Sequence, residues 1–302
     1  MNVLEVRDIR KSFGSKKVLQ GVSFSVPENC IFGFIGRNGA GKTTTMRAVL
    51  GMLRTDGGEI EVLGERVSFG RPPAGGRVGF LPDVPEYYGY MNAGEYLTLC
   101  GSISGMDSKD IKNRSEELLT LVGLSGEKHR IKGYSRGMKQ RLGIAQALMG
   151  RPDLLICDEP TSALDPVGRK DILDIISAAK EQCSVVFSTH ILSDVERICS
   201  RVAFIEGGKT AFSGSIEEIR ALRRDTALML TLSRPEDAEK VLGGFPAGSK
   251  DSSDPGRIVF PKASDRDCGE LMAFLSAQKI PIIRLERHEA DLEDLFMEVI
   301  GK

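Results

Sequence analysis

The chain has 302 residues, with 41 Lys or Arg against 42 Asp or Glu and a formal net charge of -1, so sequence-independent binding to nucleic acid, which needs a basic surface, is not expected. Hydrophobic residues make up 41% and charged residues 27%, which argues against a largely disordered chain, and the length leaves room for two domains of roughly 100–200 residues each. Cys30, Cys100, Cys157, Cys183, Cys199 and Cys268 form no CxxC pair and the histidines are only His129, His190 and His288, so free thiols in a reducing cytosol are expected, without a zinc site or disulfide framework.

The opening MNVLEVRDIRKSFG mixes charges where a signal peptide needs an apolar core, and no run of 18 apolar residues follows, so neither export by that route nor a membrane span is expected. VLEVRDI and VLQGVSFSV alternate as strands around Gly14 and Ser15, an antiparallel β opening. CIFGFIG (30–36) is an apolar strand, followed by RNGAGKTTTMRAVLGML, whose later residues take helical spacing. A mostly helical insertion is expected over about 84–150, with AGEYLTLCGSISG and SKDIKNRSEELLTLVGL at its centre. DLLICD (153–158) and SVVFSTH (184–190) resemble strands buried on both faces, as parallel α/β sheets require. RVAFIEGGKTAFSG suggests a hairpin, and composition shifts around Arg223, Arg224 and Asp225, placing a domain boundary near 222. The remainder, 223–302, reads as a small α+β unit: strand ALMLTL, helix PEDAEKVL, a polar loop AGSKDSSDPG, strand RIVF, helix DCGELMAFLSA, strand PIIRLE and helix LEDLFMEVI.

GRNGAGKT (36–43) matches GxxxxGK[ST] between a strand and a helix, the context in which loop N–H groups and a helix N-terminus surround phosphate oxygens. Candidate nucleotide-binding residues are therefore Gly36, Arg37, Asn38, Gly39, Ala40, Gly41, Lys42, Thr43 and Thr44. Lys42 supplies positive charge at the β and γ phosphates, and the Thr43 hydroxyl can ligate magnesium. LLICDE ends in Asp158 and Glu159 at the C-terminal edge of a strand, where α/β sheets bind ligands. There Asp158 fits a magnesium role and Glu159 a general base for the attacking water; the alternative is a pair of solvated loop carboxylates. His190, after Thr189, stands where a side chain can reach a γ phosphate, although a histidine at a strand end is commonly structural.

GRNGAGKT, YSRGMKQRLGIAQAL (134–148), LLICDEPTSALDP (154–166) and STH (188–190), in this order and spacing, resemble the nucleotide-binding subunit of ABC transporters over residues 1 to about 220. The resemblance implies an α/β fold: a P-loop NTPase core of ABC type with an antiparallel β subdomain and a helical insertion, here followed by the small C-terminal α+β domain. It implies Phe13 stacking on adenine with Val18 beside it, Asp165 in the loop that crosses to a second subunit, and His190 as the switch histidine. ATP and Mg2+ are the implied cofactors. One phosphate loop and one signature per chain imply a dimer in which two subunits clamp two ATP molecules, taken as a homodimer. The implied setting is cytoplasmic, on the inner membrane face, bound to a permease that this chain lacks.

Two motifs depart from the family pattern. The signature, typically LSGGQ, reads Tyr134, Ser135, Arg136, Gly137, Met138. The Ser135 hydroxyl and Gly137 N–H can still donate to a γ phosphate at the start of a helix expected from near Lys139, with Arg136 adding charge. Asp83 in GFLPD stands where a glutamine normally bridges magnesium and the membrane partner; a carboxylate also ligates magnesium but adds negative charge.

All five tyrosines, Tyr87, Tyr88, Tyr90, Tyr96 and Tyr134, lie between 87 and 134. The resemblance puts this stretch at the face that receives the permease, so Tyr87, Tyr88 and Tyr90 either line that groove or pack within the insertion. The ending LEDLFMEVIGK is similar to the tail of ATPase subunits serving the ABC-2 type of export permease; Leu292, Leu295, Phe296, Val299 and Ile300 share a helical face that packs on its own domain or on a second subunit. The expected function is an ATP-hydrolysing transporter subunit, for export. The alternative is a soluble ABC-type ATPase acting as an ATP-gated binding module on ribosome or nucleic acid; a second cassette or long coiled-coil insertion would mark it, and neither is seen in this sequence.

Overall fold

Three apolar runs become strands with every residue buried: β3 (Ile31–Gly36), β7 (Leu154–Asp158) and β8 (Ser184–Thr189). A strand covered on both faces has no side on which to place polar residues, which is why these runs do not alternate. The computed structural model describes residues 1–222, 227–251, 254–261 and 263–288. The chain divides into two units, Met1–Ile216 and Glu217–Lys302.

In the first unit, the long strands β1 (Asn2–Phe13) and β2 (Lys16–Pro27) pair antiparallel, and β4 (Gly57–Val62) and β5 (Glu65–Arg66) extend them into a four-stranded sheet ordered β2-β1-β4-β5. The second sheet has the order β10-β9-β3-β8-β7-β6, where β6 is Val78–Leu81, β9 is Arg201–Glu206 and β10 is Lys209–Ser215. Its strands run parallel from β9 to β6, with β10 antiparallel at the edge. Between the two sheets lies the core, where Phe24 stacks on Phe32 and Phe34 at centroid distances of 5.6 and 4.8 Å, with Met46 and Val49 of helix α1 (Lys42–Val49).

Between β6 and β7 the chain forms α2 (Ala93–Ile103), α3 (Ser108–Leu121) and α4 (Arg136–Leu148). Asn92 and Glu95 form a capping box at the start of α2, and Asp107 caps α3, so each start is set by side chains that satisfy free N–H groups. Helices α5 (Pro166–Ala179) and α6 (Leu192–Ile198) complete the layers on the parallel sheet. Gly33 allows α6 close to β3: a Cβ there would lie 3.0 Å from Val195 Cγ1.

The second unit contains most of α7 (Ile216–Leu222), then β11 (Ala227–Leu232), α8 (Ala238–Gly244), β12 (Ser249–Lys250), β13 (Arg257–Phe260), α9 (Asp265–Ala277) and β14 (Ile282–His288). From β11 onward this is a βαββαβ arrangement with the antiparallel order β12-β13-β11-β14. Alternation in β11 buries Leu228, Leu230 and Leu232 with Val241, Ile258, Leu271 and Leu275.

Several elements differ from the sequence expectations. Strands β4, β5 and β6 lie where no strand was expected, and β12 lies inside the expected polar loop; with two to six residues each, they are too short to show a period. Helix α4 begins at Arg136, three residues before Lys139, because Ser135 accepts the Met138 N–H at 3.2 Å and caps it there. The expected helix with Leu292, Leu295, Phe296, Val299 and Ile300 lies outside the described residues.

Candidate functional site

The ends of β3, β7 and β8 meet at one cleft. After Gly36 the chain turns through Gly39 (φ 85°) and Gly41 (φ 110°) into α1. These conformations strain any residue with a Cβ, and a Cβ on Gly41 would also lie 2.7 Å from Leu19 Cδ2. Gly41 provides no capping side chain, and the first turn of α1 carries no acid, so its N–H groups face a ligand with the positive end of the helix dipole.

Lys42 is buried, and its ammonium donates to Gly36 O at 2.6 Å and Arg37 O at 3.2 Å. Its third partner comes from the residue after β7: Glu159 Oε1 stands 3.0 Å from Lys42 Nζ. The other oxygen, Oε2, meets His190 Nδ1 at 2.9 Å. One carboxylate therefore joins the phosphate loop to the residue after β8.

Asp158 is buried, and Ser188 Oγ donates to its Oδ1 at 2.5 Å. The same serine Oγ accepts the Glu159 N–H at 3.0 Å. Glu159 itself has φ 49°, an uncommon backbone for a residue with a side chain, of the kind that clusters where geometry serves function.

Around these groups lies an open cleft of about 770 Å³, lined by residues 37–44, Asp83, Glu159, Ser162 and His190 together with Lys16, Lys17, Val18 and Gln20 of β2. Its size suits a nucleotide-sized ligand. Phe13 is outside that lining, at the end of β1; its ring is 52% exposed and carries the Lys11 ammonium 5.4 Å from its centroid.

Asp83 reaches the cleft from the segment after β6. Burial pushes its carboxyl above the usual aspartate value; Arg136 opposes the shift, and the negative charges of Asp158 and Glu159 add to it. Asp83 Oδ1 is buried without a hydrogen-bond partner and stands 3.7 Å from the Arg136 guanidinium. Asp83 and one of the departing signature residues, Arg136, thus face each other within one chain. Gln140 also donates to Asp83 O at 3.0 Å, fastening this segment to α4. The signature residues Ser135, Gly137 and Met138 lie outside the cleft lining, in the first turn of α4 or at its cap. Asp165 caps α5 through the Gly168 N–H at 2.7 Å.

The donors fit a magnesium ion carried by phosphate better than one held by protein alone. Among the described residues no group of three His, Cys, Asp or Glu side chains could hold a metal. Thr43 and Asp83 line the cleft, with Asp158 at the end of β7, a sparse oxygen set of the kind that leaves positions for water and phosphate. The partnerless Asp83 Oδ1 suits the same site.

Of the tyrosines, Tyr87 donates to Lys139 O at 2.5 Å and packs edge-on against Tyr96 at 5.1 Å, and burial pushes the Tyr96 phenol up to about 12. Tyr88 and Tyr90 are 54% and 62% exposed and lie beside one another at 5.9 Å. Tyr87 therefore packs within the helical segment, and only Tyr88 and Tyr90 offer an open face.

The sequence reading did not single out Ser188, Lys16, Lys17 or Asp194. Ser188 and Asp194 had a local signal, as a hydroxyl just before Thr189 and an acid four residues after His190. The two lysines directly precede Val18, the residue placed beside adenine, but only the folded chain shows them lining the cleft.

The sequence profile of the family described as ABC transporter matches residues 19–162. Over 300 residues the chain is 36% identical to the ABC transporter ATP-binding protein YxlF of Bacillus subtilis (strain 168), covering 99% of each. It is 35% identical to the Bacitracin transport ATP-binding protein BcrA of Bacillus licheniformis, over 99% of this chain and 97% of that one. The linearmycin resistance ATP-binding protein LnrL of Bacillus subtilis (strain 168) is 31% identical over 99% of both. A solved ATP-binding subunit of an ABC transporter superposes with a TM-score of 0.66 at 29% identity, covering 73% of this chain and 92% of that one.

Proposed function

The chain belongs to the family of ABC transporter ATP-binding proteins, which bind ATP with Mg2+ and hydrolyse it, and we propose that it is one half of a two-chain clamp that drives a separate permease outward. The observation that carries the hydrolytic part is the contact of Glu159 with both Lys42 and His190 in the cleft. Export is supported by similarity along 99% of the chain to relatives named for bacitracin transport and linearmycin resistance, since resistance follows from moving a toxic compound out.

In this reading Phe13 and Val18 meet adenine, while residues 36–44 and the start of α1 hold the phosphates. Lys42 neutralises the β and γ phosphates, and Glu159 takes a proton from the attacking water. His190, whose Nδ1 lies 2.9 Å from Glu159 Oε2, orients that carboxylate and keeps Nε2 for the γ phosphate. Thr43, Asp158 and Asp83 hold the Mg2+, which when bound offsets negative charge on the phosphates. Ser135, Arg136, Gly137 and Met138 serve the site of a second copy, and Asp165 lies in the loop that crosses to it. Residues 1–222 form the ATPase domain and 223–302 an accessory domain. Among the described residues no helix is long and apolar enough to cross a membrane; the proposed location is the inner membrane face, held by the permease through a surface that includes Tyr88 and Tyr90.

Steady-state ATP turnover of the purified chain, measured against protein concentration, tests the clamp. A rate per chain that rises with concentration, together with an ATP-dependent dimer on size-exclusion chromatography, is expected. Turnover per chain that is constant with concentration, from a species that stays monomeric in ATP, would remove the two-chain reading.

A further inference from the structure

We propose that Asp194 is a positioning residue for hydrolysis: its buried carboxylate ties the loop carrying Glu159 to the helix that follows His190, and so keeps those two side chains in register. The inference rests on the reading that Glu159 and His190 serve ATP hydrolysis.

Asp194 lies on α6, four residues after His190, and is 2% exposed. Both of its oxygens are engaged. Thr161 Oγ1 donates to Oδ2 at 2.7 Å, and the Arg169 guanidinium donates to Oδ1 at 2.6 Å. Thr161 belongs to the loop after β7 and Arg169 to α5, so one carboxylate joins three separate elements. The helix that carries it is itself fixed, because the next residue, Val195, packs fully buried over Gly33.

The loop needs such an anchor. Glu159 and Ala163 have φ 49° and 54° on either side of Thr161. Side-chain-bearing residues hold such conformations only where their surroundings over-determine them. The loop's internal N–H bonds, Ser162 to Glu159 O at 3.1 Å and Leu164 to Thr161 O at 3.3 Å, are local and turn with the loop as a whole. The Glu159 N–H ties the start of the loop to Ser188 on β8, and the fully buried Thr161 hydroxyl ties its middle to α6. Arg169 balances the charge of Asp194, so the anchor is an ion pair and a hydrogen bond sharing one carboxylate, and removing either contact leaves a buried polar group short of a partner. Asp194 contributes nothing to the cleft lining, so its effect on chemistry passes through the placement of Glu159 and His190.

The test uses the full chain with Thr161→Val, Thr161→Ser and Asp194→Asn, following kcat and KM for ATP, affinity for a fluorescent ATP analogue, and the melting temperature. Thr161→Val keeps the volume and removes the hydroxyl; kcat is expected to fall about 10- to 100-fold, as misplaced catalytic groups do, while KM and analogue affinity stay within about twofold because the phosphate loop is untouched. Thr161→Ser restores the hydroxyl and is expected to recover most of the rate. Asp194→Asn should resemble Thr161→Val; if it does not fold, the valine and serine pair decides alone. Wild-type kcat in Thr161→Val would overturn the proposal, and so would a loss that serine does not recover or that falls equally on analogue affinity. Glu159→Gln in the same assay separates the two ideas: an inactive Glu159→Gln beside a fully active Thr161→Val rejects the role of Asp194 alone, whereas an active Glu159→Gln rejects the underlying reading and the role of Asp194 with it.

Discussion

The Glu159 carboxylate and the Lys42 ammonium form a buried ion pair at 3.0 Å. A triphosphate drawn to Lys42 competes with Glu159 for that ammonium, and the carboxylate it displaces still has His190 at 2.9 Å. On the proposed reading of Glu159 as general base, phosphate binding would thereby also release that base. Glu159→Gln is expected to retain ATP affinity, because Lys42 keeps its Gly36 and Arg37 carbonyl partners, while kcat falls by about 10²- to 10⁴-fold. Equilibrium binding beside steady-state turnover checks both halves.

Gly36 abuts β9. A Cβ there would lie 2.6 Å from Ile205 Cγ2 and 2.7 Å from Ile205 O, and a backbone oxygen held in a parallel sheet cannot move aside. Gly36→Ala is expected to cost about 1–3 kcal/mol of stability, the usual range for overpacking, and to weaken ATP binding by shifting the carbonyl that holds Lys42. Urea unfolding and nucleotide titration measure the two effects.

Asp83 binds its proton more tightly in the folded chain than in the unfolded one, because burial and the nearby Asp158 and Glu159 outweigh Arg136. The contribution of this group to stability is full below the ordinary aspartate value of about 3.9 and is lost as the pH rises through the higher folded value. Asp83→Asn does not undergo this loss. The stability of the variant relative to wild type is expected to increase between about pH 4 and pH 7, read as the difference in urea midpoints. A constant difference across that range would contradict it.

Tyr88 and Tyr90 are exposed beside each other, whereas Tyr87 is bonded to Lys139 O. Tyr88→Ala with Tyr90→Ala is expected to leave stability within about 0.5 kcal/mol per site while abolishing co-purification with the permease. Tyr87→Phe should instead cost about 0.5–1.5 kcal/mol, the worth of a hydrogen bond, and leave assembly intact. Thermal melts and pull-down assays distinguish the two surfaces.

Much of the phosphate site is legible along the chain because its parts are local. GRNGAGKT must follow a strand and precede a helix, and the apolar runs before Asp158 and His190 are continuous because β7 and β8 are covered on both faces. Family likeness, and with it ATP and Mg2+, is likewise carried by motifs in order. Short elements were not legible: β6 has four residues and β12 two, and their pairing is decided by neighbours far away in sequence. Ser135 was visible as a signature hydroxyl, but only the folded chain shows it capping α4 and setting the helix start at Arg136.

What the sequence determined by itself is therefore the inventory: a phosphate loop, two carboxylates at a strand end, a histidine at another, and two unusual residues at positions 83 and 136. Tertiary structure alone decided their pairings. Lys42 meets Glu159, Arg136 faces Asp83, and Thr161 and Arg169 share Asp194, across 117, 53, 33 and 25 residues of chain respectively. A backbone motif writes its requirements into adjacent residues, because steric limits on φ and ψ act locally. A charge or hydrogen-bond pair has no such neighbour rule, since Coulombic attraction depends only on the distance that the packed sheets and helices leave between two side chains.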